Sequence, residues 1–484
     1  MIMRSARISV SIAFLAAPIW ACAILPAEHE TGAIITNPAL LSQPPSPASP
    51  LHPGEFWPRA EWWKGYGDTQ LERLIERAIS TAPDVKAAAA RVALALRRAE
   101  LAGAERTPPL DAAADVTRQR ISENGLIPAR FVENPFTLSQ TLARASFELD
   151  LWGKNRALAR AALGEARAAE AERRLVRHMV ALAVASAYVE LITAIEMDQR
   201  AVALAGESAQ AVNLHAAMAR AGTADTRSVA AAEARLAAAR QRESLAARRV
   251  ESARHHIAAL TGDGPVAAYS ITSPDSITLT APGAPPDDLP LELVRRRADI
   301  QAALWRIEAA GERIGAAKAA FYPSVNLAAL AGFQSLELET LFEGGNTMYT
   351  LGPSVRLPLF EGGRLKANLG ARQAERDLAV ETYNKALLEA AREVADALSG
   401  ARAMETVLSL SRKETAMAIE AEMVTMTRAR RGVEPPLAAV TARMTRIEAE
   451  TRRTAAEGER DQARLALIRA LGGGYVANNG NEEY

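Results

Sequence analysis

"LPLFEGGRL" (Leu357–Leu365) carries two periodicities that seldom meet in so short a run. Its first half alternates apolar residues like a membrane-facing strand, and its second half opens a long alanine-rich helix. Earlier in the chain "LDLWGKNRA" (Leu149–Ala157) repeats the arrangement: it stops on an aromatic residue, turns on glycine and starts a helix. A strand running into a very long helix, twice, is what any fold for this chain has to accommodate.

On the helical side, no proline occurs between Lys154 and Gly264 or between Leu359 and Glu434, and only Gly222 and Gly432 stand in a strong turn context. Lys154–Ala219 read as one helix has about 66 residues, on the order of 100 Å at the α-helical rise. The return helices, read as Ser228–Leu260 and Leu437–Leu471, are about half as long. Such rods are not stable alone, and closely spaced alanines let neighbours interlock as coiled coils. Helices by themselves would equally suit a coiled-coil scaffold without a pore.

On the strand side, "YPSVNLAALAGFQ" puts Val325, Leu327, Ala329, Ala331 and Phe333 on one face and Ser324, Asn326, Ala328 and Gln334 on the other, with Leu330 the exception. "YTLGPSVRLPLF" sets Tyr349, Leu351, Val355, Leu357 and Leu359 against Thr350, Ser354 and Arg356, and "LDAAADVTRQ" sets Leu110, Ala112, Ala114 and Val116 against Asp111, Asp115, Thr117 and Gln119. Each run has about the 9–11 residues that a tilted transmembrane strand needs. Half-buried strands of a soluble sheet alternate in the same way.

The chain is also built twice. Asp84–Gln119 aligns without gaps with Asp299–Gln334, Trp152 aligns with Phe360 and Arg156 with Arg364, and "RAGTAD" (Arg220–Asp225) aligns with "RRGVEP" (Arg430–Pro435). Each half reads helix, strand, strand, very long helix, tight turn, helix. Two strands per half give four per chain, whereas a sheet in lipid must close without a free edge and the smallest barrels have about eight. Copies of the chain must therefore pool strands. Three copies would give twelve strands and twelve rods, although edge closure by itself does not fix the number at three.

Arg4 and Arg7 followed by the apolar run Ile8–Ala17 read as an export signal, too short to span a bilayer. This tilts the strands toward membrane use. The sole cysteine, Cys22, follows in "IWAC" (Ile19–Cys22), similar to a bacterial lipobox whose cysteine is acylated, with Trp20 bulkier than usual; a buried thiol after an ordinary signal is the other reading. The proline-rich stretch that follows should be extended, with Trp57, Trp62 and Trp63 as anchors for docking. The expected organisation is a signal over 1–21, an anchored extended segment over 22–67, a first repeat over 68–264, a linker over 265–290, a second repeat over 291–474 and a tail over 475–484.

Basic and acidic residues balance at 57 each, so no net field recommends a nucleic-acid partner. No catalytic or nucleotide motif stands out, no cysteine pair could hold a metal, and the adjacent His255 and His256 project from different sides of a helix. No enzyme, metal or cofactor is expected beyond a covalent lipid such as palmitate on Cys22. The run Arg295–Arg297 is read as structural salt bridging.

"FELDLWGKNRA", "LVRRRADIQAAL", "IGAAKAAFYPSVNL", "LPLFEGGRL", "EVADAL" and "ALGGGY" together resemble the TolC-like outer-membrane efflux channels of Gram-negative bacteria, closest to the OprM/NodT-type lipoproteins of tripartite pumps. The resemblance implies a membrane α+β fold: a homotrimer whose four strands per protomer form a twelve-stranded barrel in the outer membrane, continued by an α-helical periplasmic tunnel. It implies a passive exit duct for drugs or other toxic compounds that works with a periplasmic adaptor and an inner-membrane RND-type transporter. A type I protein-secretion exit is the alternative with the same fold. Adaptor docking and gating would fall at the tips, Gly222, Asp225, Gly432, Glu434 and Leu437, with Thr441 standing where the family would place an aspartate. The strand-to-helix junctions would hold Trp152 in the first half and Phe360 in the second; there Leu357 and Leu359 would finish a lipid-facing strand, with Phe360 near the inner membrane interface. Gly153, Gly362 and Gly363 would make the turns, and one glycine against two predicts junctions that bend differently.

Overall fold

The computed structural model describes residues 32–37, 60–122, 135–272 and 291–473. Its helices are α1 (Thr69–Thr81), α2 (Pro83–Ala104), α3 (Lys154–Arg220), α4 (Thr226–Leu260), α5 (Ala298–Ala319), α6 (Arg364–Arg430) and α7 (Pro436–Ala470). Its strands are β1 (Leu110–Gln119), β2 (Phe136–Leu149), β3 (Ser324–Ser335) and β4 (Thr347–Arg356). The repeat is kept in the element lengths: α2 and α5 have 22 residues each, α3 and α6 have 67, and α4 and α7 have 35. The helix starts also correct the junction alignment. Lys154 corresponds to Arg364, so Gly153 corresponds to Gly363, and Trp152 and Phe360 are not equivalent.

Two compact units emerge, each drawing on both halves of the repeat. One comprises Met1–Gly32, Arg98–Leu163 and Glu308–Asp377, and its described part contains a four-stranded sheet in the order β1-β2-β3-β4, antiparallel throughout. Register aligns Leu110, Ala145, Ala329 and Leu351 across all four strands, and beside them Asp111, Arg144, Leu330 and Thr350. The apolar rows of β1, β3 and β4 thus merge into one face and their polar rows into the other, which a slip of one residue would undo, whereas β2 places Thr137, Ser139 and Thr141 on the first face and Leu138 and Leu142 on the second. Gly332 is required here, because a Cβ on it would overlap the Thr141 carbonyl oxygen on β2. Both β1 and β4 pair on one side only, so the sheet keeps two open edges.

One expectation fails at this sheet. Leu357 and Leu359 do not finish β4, which ends at Arg356 opposite Ser324. Apolar alternation does continue to Leu359, but Pro358 has no N–H to donate to a ladder, so the backbone leaves the sheet while the side-chain pattern runs on.

The second unit comprises Ala33–Arg97, Gly164–Ile307 and Leu378–Tyr484. Its first core gathers Trp62, Trp63, Leu71, Ile75, Val184, Tyr188, Leu191 and Ile257, so two of the expected tryptophan anchors are buried; Trp57 lies outside the described residues. Asp68 starts α1 by accepting from Gln70 N and Leu71 N, and it also accepts from the Tyr188 hydroxyl at 2.7 Å. Burial, together with this carboxylate, pushes the Tyr188 phenol up. α3 has a stretch long and apolar enough to cross a bilayer, but its Val180–Ile192 portion supplies this core. A second core joins Ile300, Ile307, Val380, Tyr383, Leu387 and Leu471. Helix contacts are close: a Cβ on Gly458 of α7 would overlap the Thr193 side chain of α3. Polar pairs index the same helices, with Arg443 on Glu207 at 2.8 Å between α7 and α3 and Arg446 on Glu422 at 2.5 Å between α7 and α6.

Candidate functional site

The two helix turns are built alike. α3 ends with Gly222 at φ 71°, Thr223 N donating to Met218 O and Gly222 N to Ala219 O; α6 ends with Gly432 at φ 73°, Val433 N donating to Arg428 O and Gly432 N to Ala429 O. Both are Schellman caps, in which a left-handed residue, affordable for glycine, turns the chain back onto the last carbonyls. The return helices start differently. Asp225 accepts from Ser228 N at 3.0 Å and caps α4, whereas Pro435 and Pro436 open α7, where no N–H is needed.

Neither predicted acid stands free. Asp225 pairs with Arg227 at 2.7 Å, and that hydrogen bond, ahead of the one from Ser228 N, holds its carboxyl below the usual range. Glu434 accepts from Arg428 Nε at 2.6 Å, which ties the start of α7 to the end of α6. Thr441 spends its hydroxyl proton on Leu437 O at 3.0 Å, within its own helix. Leu437 and Thr441 line a cleft of about 490 Å³ with Thr425 and Glu434. They also border a cavity of about 520 Å³ with Leu204, Ser208, His215 and Arg235, so α3, α4 and α7 converge there. The pairing of Arg428 with Glu434 and the place of His215 beside the cavity were not legible in the sequence, since nothing local marks a contact across a turn or between helices.

At the junctions, Gly153, Gly362 and Gly363 all take positive φ, at 74°, 58° and 85°. The first junction thus has one left-handed glycine and the second has two. The Asp150 carboxylate accepts from Asn155 N and Arg156 N and starts α3. Trp152 stacks on Tyr322 at 4.7 Å between centroids and donates Nε1–H to Pro323 O at 2.8 Å, whereas Phe360 is 90 % exposed. Glu148, Lys154, Arg356, Glu361 and Arg364 surround a cavity of about 330 Å³ beside this stack. Lys154 is paired with Glu148 and Arg364 with Glu361. Cys22 lies outside the described residues.

Both halves of the chain, residues 74–263 and 289–473, match the family described as outer membrane efflux protein. The multidrug resistance outer membrane protein MdtQ of Escherichia coli O157:H7 is 31 % identical over 460 residues, spanning 91 % of this chain and 94 % of that protein. Among solved structures, the outer membrane protein VceC of Vibrio cholerae superposes with a TM-score of 0.78 at 32 % identity, covering 87 % of this chain and 100 % of VceC. The open state of the Neisseria gonorrhoeae MtrE outer membrane channel superposes with a TM-score of 0.75 at 26 % identity, covering 92 % and 98 %.

Proposed function

The chain belongs to the outer membrane efflux protein family, and from that premise we propose that it is the outer-membrane exit duct of a tripartite efflux pump. The observation that carries the reading is the four-stranded sheet, apolar on one face and open at both edges, in a chain that also folds two matched pairs of long helices. An open edge in lipid would leave backbone groups unpaired, so β4 of one copy must continue onto β1 of another. Three copies close twelve strands, and the polar rows then face a water-filled lumen. The chain is passive; a periplasmic adaptor and an inner-membrane transporter supply recognition and energy at the Gly222 and Gly432 turns. Planar-bilayer recording tests this: the folded, inserted oligomer should conduct, and a silent one would sink the proposal.

Two further elements are testable separately. Acylation of Cys22 predicts that radioactive palmitate labels the protein and that Cys22→Ser abolishes the label; a labelled Cys22→Ser protein refutes the site. At the tips, Arg428–Glu434 is proposed to hold the second turn in its closed packing. Glu434→Gln should raise the resting conductance of the isolated channel, and Asp225→Asn, which keeps the cap but removes the local ion pair with Arg227, should raise it less. Unchanged conductance in both would reduce these acids to solvated turn residues.

A further inference from the structure

The segment between β3 and β4 reads Leu336, Glu337, Leu338, Glu339, Thr340, Leu341, Phe342, Glu343. It is held in one shape by side chains: Ser335 Oγ and Thr340 Oγ1 are 2.8 Å apart, Glu337 N donates to Ser335 Oγ at 3.1 Å, and Asn346 Nδ2 donates to Thr340 O at 2.6 Å. Leu341 is buried, yet Leu336, Leu338 and Phe342 are 54 %, 60 % and 70 % exposed. Three large apolar side chains so close together and left bare in an ordered segment call for a partner.

The contacts tell which side of the sheet the segment covers. Phe342 meets Phe333 edge to face at 5.5 Å between centroids. Phe333 stands in the apolar row with Val325, Leu327, Ala329 and Ala331, and the next member of that row, Ser335, is the one bonded to Thr340. Opposite Ser335 on β2, Ser139 is fully buried. The segment therefore folds over the apolar face at β3, one of the two central strands, rather than at the β1 or β4 edge where copies would pair.

We propose that this segment is a lipid-surface flap, with Leu338 and Phe342 resting in the outer end of the bilayer as a continuation of the strand face, and with the exposed Glu337, Glu339 and Glu343 remaining in water. The proposal rests on the reading that the apolar face of the sheet meets lipid. A second copy is disfavoured by the position at a central strand, and a plug across the lumen by the choice of face.

The test uses the full chain carrying Cys22→Ser, with single substitutions Phe342→Cys, Leu338→Cys, Leu351→Cys or Thr350→Cys labelled with bimane. Each is reconstituted in phosphatidylcholine bilayers with nitroxide-bearing acyl chains. Labels at positions 342, 338 and 351 should be quenched several-fold more by the lipid nitroxide than by aqueous iodide, and the label at 350 the reverse. If position 351 responds to lipid while 342 and 338 respond only to iodide, the flap is refuted and the barrel stands. If position 351 also fails to respond to lipid, the barrel reading falls and the flap with it.

Discussion

Arg297→Ala should cost the folded chain about 3 kcal/mol, in the lower part of the range for breaking a buried ion pair. The guanidinium, only 11 % exposed, is shared by three elements: it faces Asp299 in the first turn of α5, donates to Glu393 Oε2 of α6 at 2.8 Å, and donates to Ala470 O at the end of α7 at 2.9 Å. Both carboxylates keep about a third of their side-chain surface, so water can partly recover them after the arginine is gone. The Ala470 carbonyl cannot be recovered so easily, since its residue is buried. Arg297→Lys, which keeps the charge but loses the planar fork, should fall between the two. Unfolding followed by helical circular dichroism checks the order. An Arg297→Ala protein as stable as the parent would overturn the role of this residue as the clamp between α5, α6 and α7.

The second large effect is expected at Gly473. It sits at φ 60°, and a Cβ there would overlap the imidazole of His178, which Trp62 backs edge-on at 6.4 Å between centroids. Gly473→Ala is disfavoured twice: the backbone conformation is unfavourable for a side chain, and the buried ring would have to shift to admit the methyl group. Loss of the folded oligomer on expression, or a sharply lowered unfolding temperature, is the expected result; normal stability would contradict the packing. His178 adds a pH dependence of known sign. Burial first, and the neighbouring Arg297 charge second, depress its pKa from 6.5 to about 4, and neither ring nitrogen has a hydrogen-bond partner among the described residues. Arg297 is the charge that faces it, Trp62 and Gly473 being neutral. Because the folded form resists protonation, the stability due to neutral His178 is complete above pH 6.5 and lost as pH falls through about 4. The full loss is about 3 kcal/mol. His178→Phe should flatten this part of the profile, and an unchanged profile would exclude His178 as its source.

Much of the fold was legible because it depends on local signals. Missing prolines and two turn glycines bounded helices that the structure ends within a few residues of expectation, and alternation located β1 at Leu110–Gln119. The reading failed where side-chain pattern and backbone chemistry part company. At Leu357–Leu359 the alternation outlived the strand because Pro358 cannot donate, and at the junctions the match of Trp152 with Phe360 followed ring type, whereas the backbone repeats from Gly153 to Gly363. Of the three arginines Arg295–Arg297 read as salt bridging, Arg297 has that role in full, but its partner on α6 and the α7 carbonyl could not be read from neighbouring residues.

"LPLFEGGRL" marks the same division. Residue order alone shows that a strand ends and a long helix begins there, that this happens twice, and how long each rod is, because proline, glycine and apolar period act within a few residues. The four-strand register, the face that Leu336–Phe342 covers, the Arg428–Glu434 tie, and the burial of His178 and Arg297 emerge only on packing. These are contacts across turns or between residues far apart in the chain, and they depend on which surfaces meet once the rods and strands are packed.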